Sequence, residues 1–282
     1  MTNFIDRLDQ SCEANRSLLC VGLDVDPERM PVADPLEFNR AIVDATAGLV
    51  CAYKPNLAFY EALGIPGLKA LEGTVEYIRR NAPLAVIIGD AKRGDIGPSG
   101  AAYARAMFQV WDFDVVTVNA WGGHDTVAPC LEDPDRGVFI WCRGSNPGSA
   151  DLQDLTVDGP EGVGPLYSHL ARAAVSWNDK SNVGLVMGAT NPQQLADVRR
   201  ICPDMPLLIP GVGAQGGDLE EAVRLGTDER GRRALINSSR GIIYASSGPD
   251  FAQVAAREAV GLRDSINRIL EARSEEHTSE LQ

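Results

Sequence analysis

The chain has 282 residues, 44% hydrophobic and 23% charged, with a formal net charge of −13. That is the composition of a globular protein able to bury a sizeable core. The acidic balance argues against nucleic acid as a partner, since phosphate contacts need clustered Lys and Arg. No run approaches 18 uninterrupted apolar residues, so no membrane span is expected.

From the N-terminus, "MTNFIDRLDQSCEANRS" shows no basic region followed by an apolar block, so no export signal is read. Short runs rich in Val, Ile and Leu then recur: "SLLCVGLD" (17–24), "VCAYKPN" (50–56), "LAVIIGDAK" (84–92) and "VVTVN" (115–119). Four more follow: "GVFIWCR" (137–143), "NVGLVMGAT" (182–190), "PLLIPGVG" (206–213) and "RALINSSR" (233–240). They are continuous rather than alternating, as parallel strands covered on both faces are. Helical patterns separate them. Asp34, Pro35 and Glu37 read as N-cap, N1 and N3 of a helix with Phe38, Ile42, Ala45 and Leu49 inward. Asn191 and Pro192 repeat the start signal, and the closing helix carries Ala255, Ala259, Leu262, Ile266 and Ile269.

Eight such units point to a single α/β domain over residues 1–272, a (β/α)8 TIM barrel, with a doubly wound open sheet as the alternative. The stretch 144–165 after the fifth run is expected to be irregular, a lid or pocket wall. The last ten residues, "RSEEHTSELQ", lack apolar periodicity and resemble a translated sequencing adapter, so 273–282 is expected to be a non-native, disordered tail. The six cysteines (12, 20, 51, 130, 142, 202) form no C-x-x-C pair. They read as reduced thiols of a cytoplasmic protein, with no metal site.

In such a barrel the active site is built at the C-terminal strand ends. Those ends offer Asp24, Lys54, Asp90 with Lys92, Asn119, Arg143, Thr190, Gln215 and Arg240, and the opposite ends offer no comparable set. Asp90 and Lys92 are two apart, so strand alternation would put both side chains on one face. "GVGAQG" (211–216) formally matches a dinucleotide fingerprint, but it follows the seventh strand and no acid closes the eighth. A phosphate cradle fits better, with glycine admitting backbone N–H groups, Gln215 donating and Arg240 clamping. His124 and His169 have no partner motif and read as structural, and Ser238 and Ser239 read as phosphate geometry rather than as a nucleophile.

In order, "VGLDVDP", "YKPN", "DAKRGDIGPSG", "SNPG", "PGVGAQGG" and "NSSRGI" resemble the orotidine 5′-monophosphate decarboxylases of the longer bacterial branch. The resemblance implies conversion of orotidine 5′-monophosphate to uridine 5′-monophosphate and CO2, in pyrimidine biosynthesis, with no cofactor. It also implies a homodimer with active sites at the interface. Lys92 then matches the proton donor to C6, and Asp90 the carboxylate facing that of the substrate. Asp95 and Ile96 match residues supplied by a neighbouring subunit. Lys54 completes the alternating catalytic charge network and, with Asp24, matches a ribose contact, as does Ser99, where many members have Thr. Ser145 matches the residue on the pyrimidine edge. Gln215 and Arg240 match phosphate ligands, with Pro210, Val212 and Gly241 as further binding positions.

On this reading a fixed ammonium beside C6 stabilises a carbanion that the ring cannot delocalise, and Asp90 and Asp95 keep Lys92 charged. Two readings compete. A Mg²⁺-dependent sugar-phosphate lyase on the same barrel, such as a ketogulonate-phosphate decarboxylase or hexulose-phosphate synthase, would need an acid where Lys54 stands. A non-catalytic nucleotide-binding protein would have lost Lys92 or its carboxylates.

Overall fold

A computed structural model of the chain describes residues 3–160, 162–213 and 216–280. Each of the eight apolar runs forms a strand. These are β1 (Leu19–Gly22), β2 (Ala52–Lys54), β3 (Val86–Arg93), β4 (Val115–Val118), β5 (Gly137–Arg143), β8 (Val183–Met187), β9 (Leu207–Pro210) and β10 (Ala234–Ser238). All neighbours pair in parallel, and the sheet closes in the order β1-β10-β9-β8-β5-β4-β3-β2. This is the (β/α)8 TIM barrel, not an open sheet.

Two apolar layers hold it. Inside the barrel, Cys20, Ala52, Val86, Ile88, Val115, Phe139, Val186, Leu208 and Leu235 pack together, and Phe4 and Leu8 of the helix Phe4–Asn15 join them. A larger layer between strands and helices includes Leu23, Phe38, Ile42, Val116, Ile140, Leu185 and Ile236. Inward and outward positions therefore alternate, even though both faces are apolar and the sequence reads as continuous. The helix Pro35–Thr46 starts as read, with Asp34 accepting from the Leu36 amide at 2.9 Å. Asn191 precedes the helix Pro192–Ile201, but its side chain makes no cap bond there. It donates instead to Gly144 O and Thr190 Oγ1.

Three expectations differ from the structure. The described residues of 144–165 form regular elements: a 3₁₀ turn (Pro147–Ser149), a short helix (Ala150–Gln153) and an antiparallel pair of β6 (Thr156–Gly159) and β7 (Gly162–Pro165). The closing helix does not stop near residue 272 but runs from Phe251 to Glu280. The tail contains no Gly or Pro to end it, and Arg224 grips Glu276 through two bonds of 2.7 and 3.0 Å while Arg273 donates to Thr227. Third, the N-terminal end of the barrel carries a charge cluster of its own. Asp114, at the start of β4, accepts from Arg7 at 2.6 Å, from Arg79 at 2.7 and 2.8 Å and from the Ile87 amide at 2.8 Å. Those arginines come from helices remote in sequence, so strand ends read one at a time do not show the cluster.

Candidate active site

At the other end of the barrel a cavity of about 240 Å³ opens over the interior. Its floor follows from the alternation. The inward position after Ile88 is Asp90, after Val115 it is Thr117, after Phe139 it is Trp141, and after Leu235 it is Asn237; all four line the cavity. Of the residues read from the sequence, Asp24, Lys54, Asp90, Lys92, Arg143, Ser145, Pro210, Val212 and Arg240 line it too.

Asp90 is the hub. Its Oδ2 accepts from Lys54 Nζ at 3.0 Å, and its Oδ1 accepts from Lys92 Nζ at 2.6 Å and from Thr117 Oγ1 at 2.9 Å. Burial alone would raise the Asp90 carboxyl, but the two ammonium groups outweigh it and hold it well below the usual carboxylate range. Burial likewise favours the neutral form of Lys54, yet Asp90 and Asp24 push its ammonium above the ordinary value. Asp24 Oδ1 lies 3.8 Å from Lys54 Nζ, too long for a hydrogen bond, and it is buried without a hydrogen-bond partner among the described residues. The Lys92 side chain is 38% exposed, with its ammonium 6.0 Å from the Trp141 ring centroid.

Lys92 reaches Asp90 by another route than simple alternation. β3 shifts register between Gly89 and Arg93, and Lys92 has a left-handed backbone with φ +48°. The shared face expected from a regular strand is therefore produced by a bulge.

The glycine-rich loop differs from a simple amide cradle. The amides of Gly213, Gly216 and Gly217 donate to Gly217 O, Gly213 O and Gly211 O within the loop. Positive φ values at Gly211 (101°) and Gly213 (68°) make this curl possible. Gln215 lies outside the described residues. Arg240 is exposed and lines the cavity, and its guanidinium makes no hydrogen bond or ion pair with the described residues. It opens the short helix Arg240–Ile243. The preceding Ser239 packs so closely on β1 that a Cβ on Gly22 would stand 1.8 Å from Ser239 Oγ.

Other polar strand ends have structural duties. Arg143 is 3% exposed, and its fork meets Asp154 at 2.9 and 2.9 Å, with Gly144 O at 2.7 Å and Asn191 at 3.3 Å. This brace holds the segment that carries Ser145 and Asn146 over the cavity. Thr190 Oγ1 donates to Ser145 O at 2.9 Å, and Asn119 Oδ1 accepts from the Trp121 amide, away from the cavity. Asp95, Ile96, Ser99 and Gly241 are exposed and outside the lining, with Ile96 62% accessible. All six cysteines are free thiols. No helix among the described residues is long and apolar enough to cross a membrane.

The sequence reading missed Thr117, Trp141, Asn237, Asn56 and Asn146. The first three carry a signal all the same: each lies two residues beyond an inward apolar residue on its own strand.

A buried carboxylate between two ammonium groups, beside an arginine at the same opening, suits a small anionic substrate that gains negative charge as it reacts. The model of the "Orotidine 5′-phosphate decarboxylase / HUMPS family" matches residues 17–255. An orotidine 5′-phosphate decarboxylase of Dehalococcoides mccartyi is 50% identical over 265 residues, covering 94% of this chain and 97% of that protein. One from Thermomicrobium roseum is 50% identical over 274 residues, covering 95% and 96%. The structure of Leishmania donovani OMP decarboxylase superposes with a TM-score of 0.83 at 35% identity, covering 95% of this chain and 98% of that one. The chain belongs to the orotidine 5′-phosphate decarboxylase / HUMPS family and, on its shared length and identity with the decarboxylases of that family, is a carboxy-lyase.

Proposed function

We propose that the chain converts orotidine 5′-monophosphate to uridine 5′-monophosphate and CO2 without a cofactor, using Lys92 to stabilise and then protonate a carbanion at C6. The observation that carries this reading is the Lys54–Asp90–Lys92 chain of contacts, 3.0 and 2.6 Å long, in one cavity with Arg240. The C6–carboxylate bond breaks, CO2 leaves, the electron pair stays on C6 in the ring plane, and the Lys92 ammonium donates its proton there. Two unit charges ~4 Å apart interact by about 4 kcal/mol at an effective dielectric near 20. Moving that attraction onto the nearer carbanion stabilises the transition state more than the ground state, which raises the rate of the chemical step. Repulsion between Asp90 and the substrate carboxylate adds about 1 to 5 kcal/mol of strain. Large accelerations require up to roughly 23 kcal/mol, so phosphate binding must also contribute by holding the network in place.

Asp24 and Lys54 serve the ribose, Ser145 the pyrimidine edge and Arg240 the phosphate, with Gln215, Pro210, Val212 and Gly241 around it. Asp95 and Ile96 reach the site of a second copy in a homodimer, and Ser99 contacts the ribose; the exposure of Asp95 and Ile96, outside the lining of their own cavity, supports the shared arrangement. Mixing Asp95→Ala with Lys92→Ala chains should partly restore turnover through hybrid dimers. No recovery, with subunit exchange demonstrated, would mean that each copy works alone.

The deciding assay follows orotidylate absorbance with and without EDTA. Equal rates are expected. Unchanged orotidylate absorbance, with turnover of a sugar phosphate that EDTA abolishes and Mg²⁺ restores, would favour the sugar-phosphate lyase. Against that alternative stands Lys54 at the end of β2, where that chemistry needs an acid. Tight binding of uridylate without turnover would indicate a binding protein instead.

A further inference from the structure

One hydroxyl spans the irregular part of β3. Between the pairs Gly89–Val116 and Arg93–Val118, β3 has Asp90, Ala91 and Lys92 where β4 has only Thr117. The Lys92 amide is met there by Thr117 Oγ1, at 2.9 Å. The same hydroxyl donates a hydrogen bond to Asp90 Oδ1, at 2.9 Å. Both directions are forced, because an amide only donates and an ionised carboxylate only accepts. Thr117 is 1% exposed, so water offers little substitute for either bond. Lys92, at φ +48°, occupies a conformation that a lysine keeps only when its surroundings enforce it.

We propose that Thr117 is a positioning residue for the decarboxylation, its hydroxyl fixing the bulge that carries Lys92 and turning Asp90 Oδ1 toward the Lys92 ammonium. The inference rests on the reading of Lys92 and Asp90 given above, and Thr117 acts through them. The methyl group has no part in it, which separates the proposal from simple packing.

The test compares Thr117→Val, Thr117→Ala and Thr117→Ser in the full chain. Val and Ala should lower kcat by roughly 10- to 100-fold, the loss expected for a buried hydrogen bond to a charged group, with KM within about threefold. Ser, which keeps the hydroxyl, should stay within about threefold of the parent on the same argument. If Val fails to fold, the pair Ala and Ser decides. Val and Ala variants with parental kcat, or a Ser variant as impaired as Ala, would overturn the proposal. An arm independent of turnover is amide hydrogen exchange at Lys92 in the ligand-free chain. It should accelerate in Val and Ala but not in Ser, and unchanged exchange in Ala would also overturn the idea. A parent chain that leaves orotidylate untouched would remove the decarboxylase reading, and the catalytic part of this inference with it, whatever the exchange rates show.

Discussion

The two ends of the barrel each carry a charge cluster centred on a buried aspartate, one held by arginines and one by lysines, and they differ in how much bonding capacity is left over. At the N-terminal end, Asp114 is 3% exposed at its side chain and takes four hydrogen bonds from Arg7, Arg79 and the Ile87 amide, so both oxygens are in use. Arg136 adds contacts to Phe113 O and Asp112. That cluster ties two helices to the start of β4. At the C-terminal end, Asp90 is as fully engaged as Asp114, but its neighbours are not. Asp24 Oδ1 is buried without a hydrogen bond, partly exposed Lys92 has Asp90 as its ion-pair partner, and the Arg240 guanidinium makes no polar contact with the described residues. A saturated cluster is a fastening. A cluster with one saturated hub and several unsatisfied neighbours can still take up polar partners, as the proposed substrate would need.

The largest expected difference between the two ends lies in Lys92→Ala. Turnover should fall by at least about 1000-fold, as removal of a group that stabilises developing charge does, while the thermal midpoint stays near the parent value. Orotidylate absorbance and a melting curve on the same preparation check both halves; a variant with normal turnover would end the mechanistic reading. The converse experiment is Asp114→Asn. Its arginine partners are about a third exposed, which weakens the pair, so the expected loss is about 2–3 kcal/mol, or roughly 3–5 °C in Tm, with kcat unchanged. Lost turnover per folded molecule would show that the N-terminal cluster is not merely structural.

Arg240→Ala should raise KM by roughly 10- to 100-fold, in line with the loss of a charge-assisted bond to phosphate, and a substrate lacking the phosphate should be indifferent to the change. The smallest effect concerns pH. Because the folded Asp90 carboxyl lies below its ordinary value of 3.8, its contribution to stability is present above that value and is lost as pH falls toward the folded one. The stability difference between parent and Asp90→Asn should therefore be flat from about pH 5 to 8 and shrink below about pH 4. A difference that changes between pH 5 and 8 would mean that Lys54 and Lys92 do not depress the carboxyl.

Much of this was legible along the chain. The eight strands were, because parallel strands buried on both faces need runs of branched apolar residues. Asp24, Lys54, Asp90, Lys92 and Arg240 were too, since a polar residue closing such a run stands out. Thr117 was not, because Thr inside "VVTVN" looks like any strand former. Arg143 stood out but was assigned no duty; its brace to Asp154 requires knowing that 144–165 folds back as a helix and strand pair. Gln215 lies beyond the described residues, so its role rests on resemblance alone.

Burial and periodicity belong to one segment at a time, which is why composition and spacing sufficed for the barrel and for the polar strand ends that line its cavity. Saturation of polar groups is a property of neighbours brought together from afar: Lys54 meets Asp90 across 36 positions, and Thr117 meets the Lys92 amide across 25. No single segment contains both partners. The bulge in β3, the hydroxyl that spans it and the contrast between a fastened and an open charge cluster therefore emerged only when the strands closed into a ring.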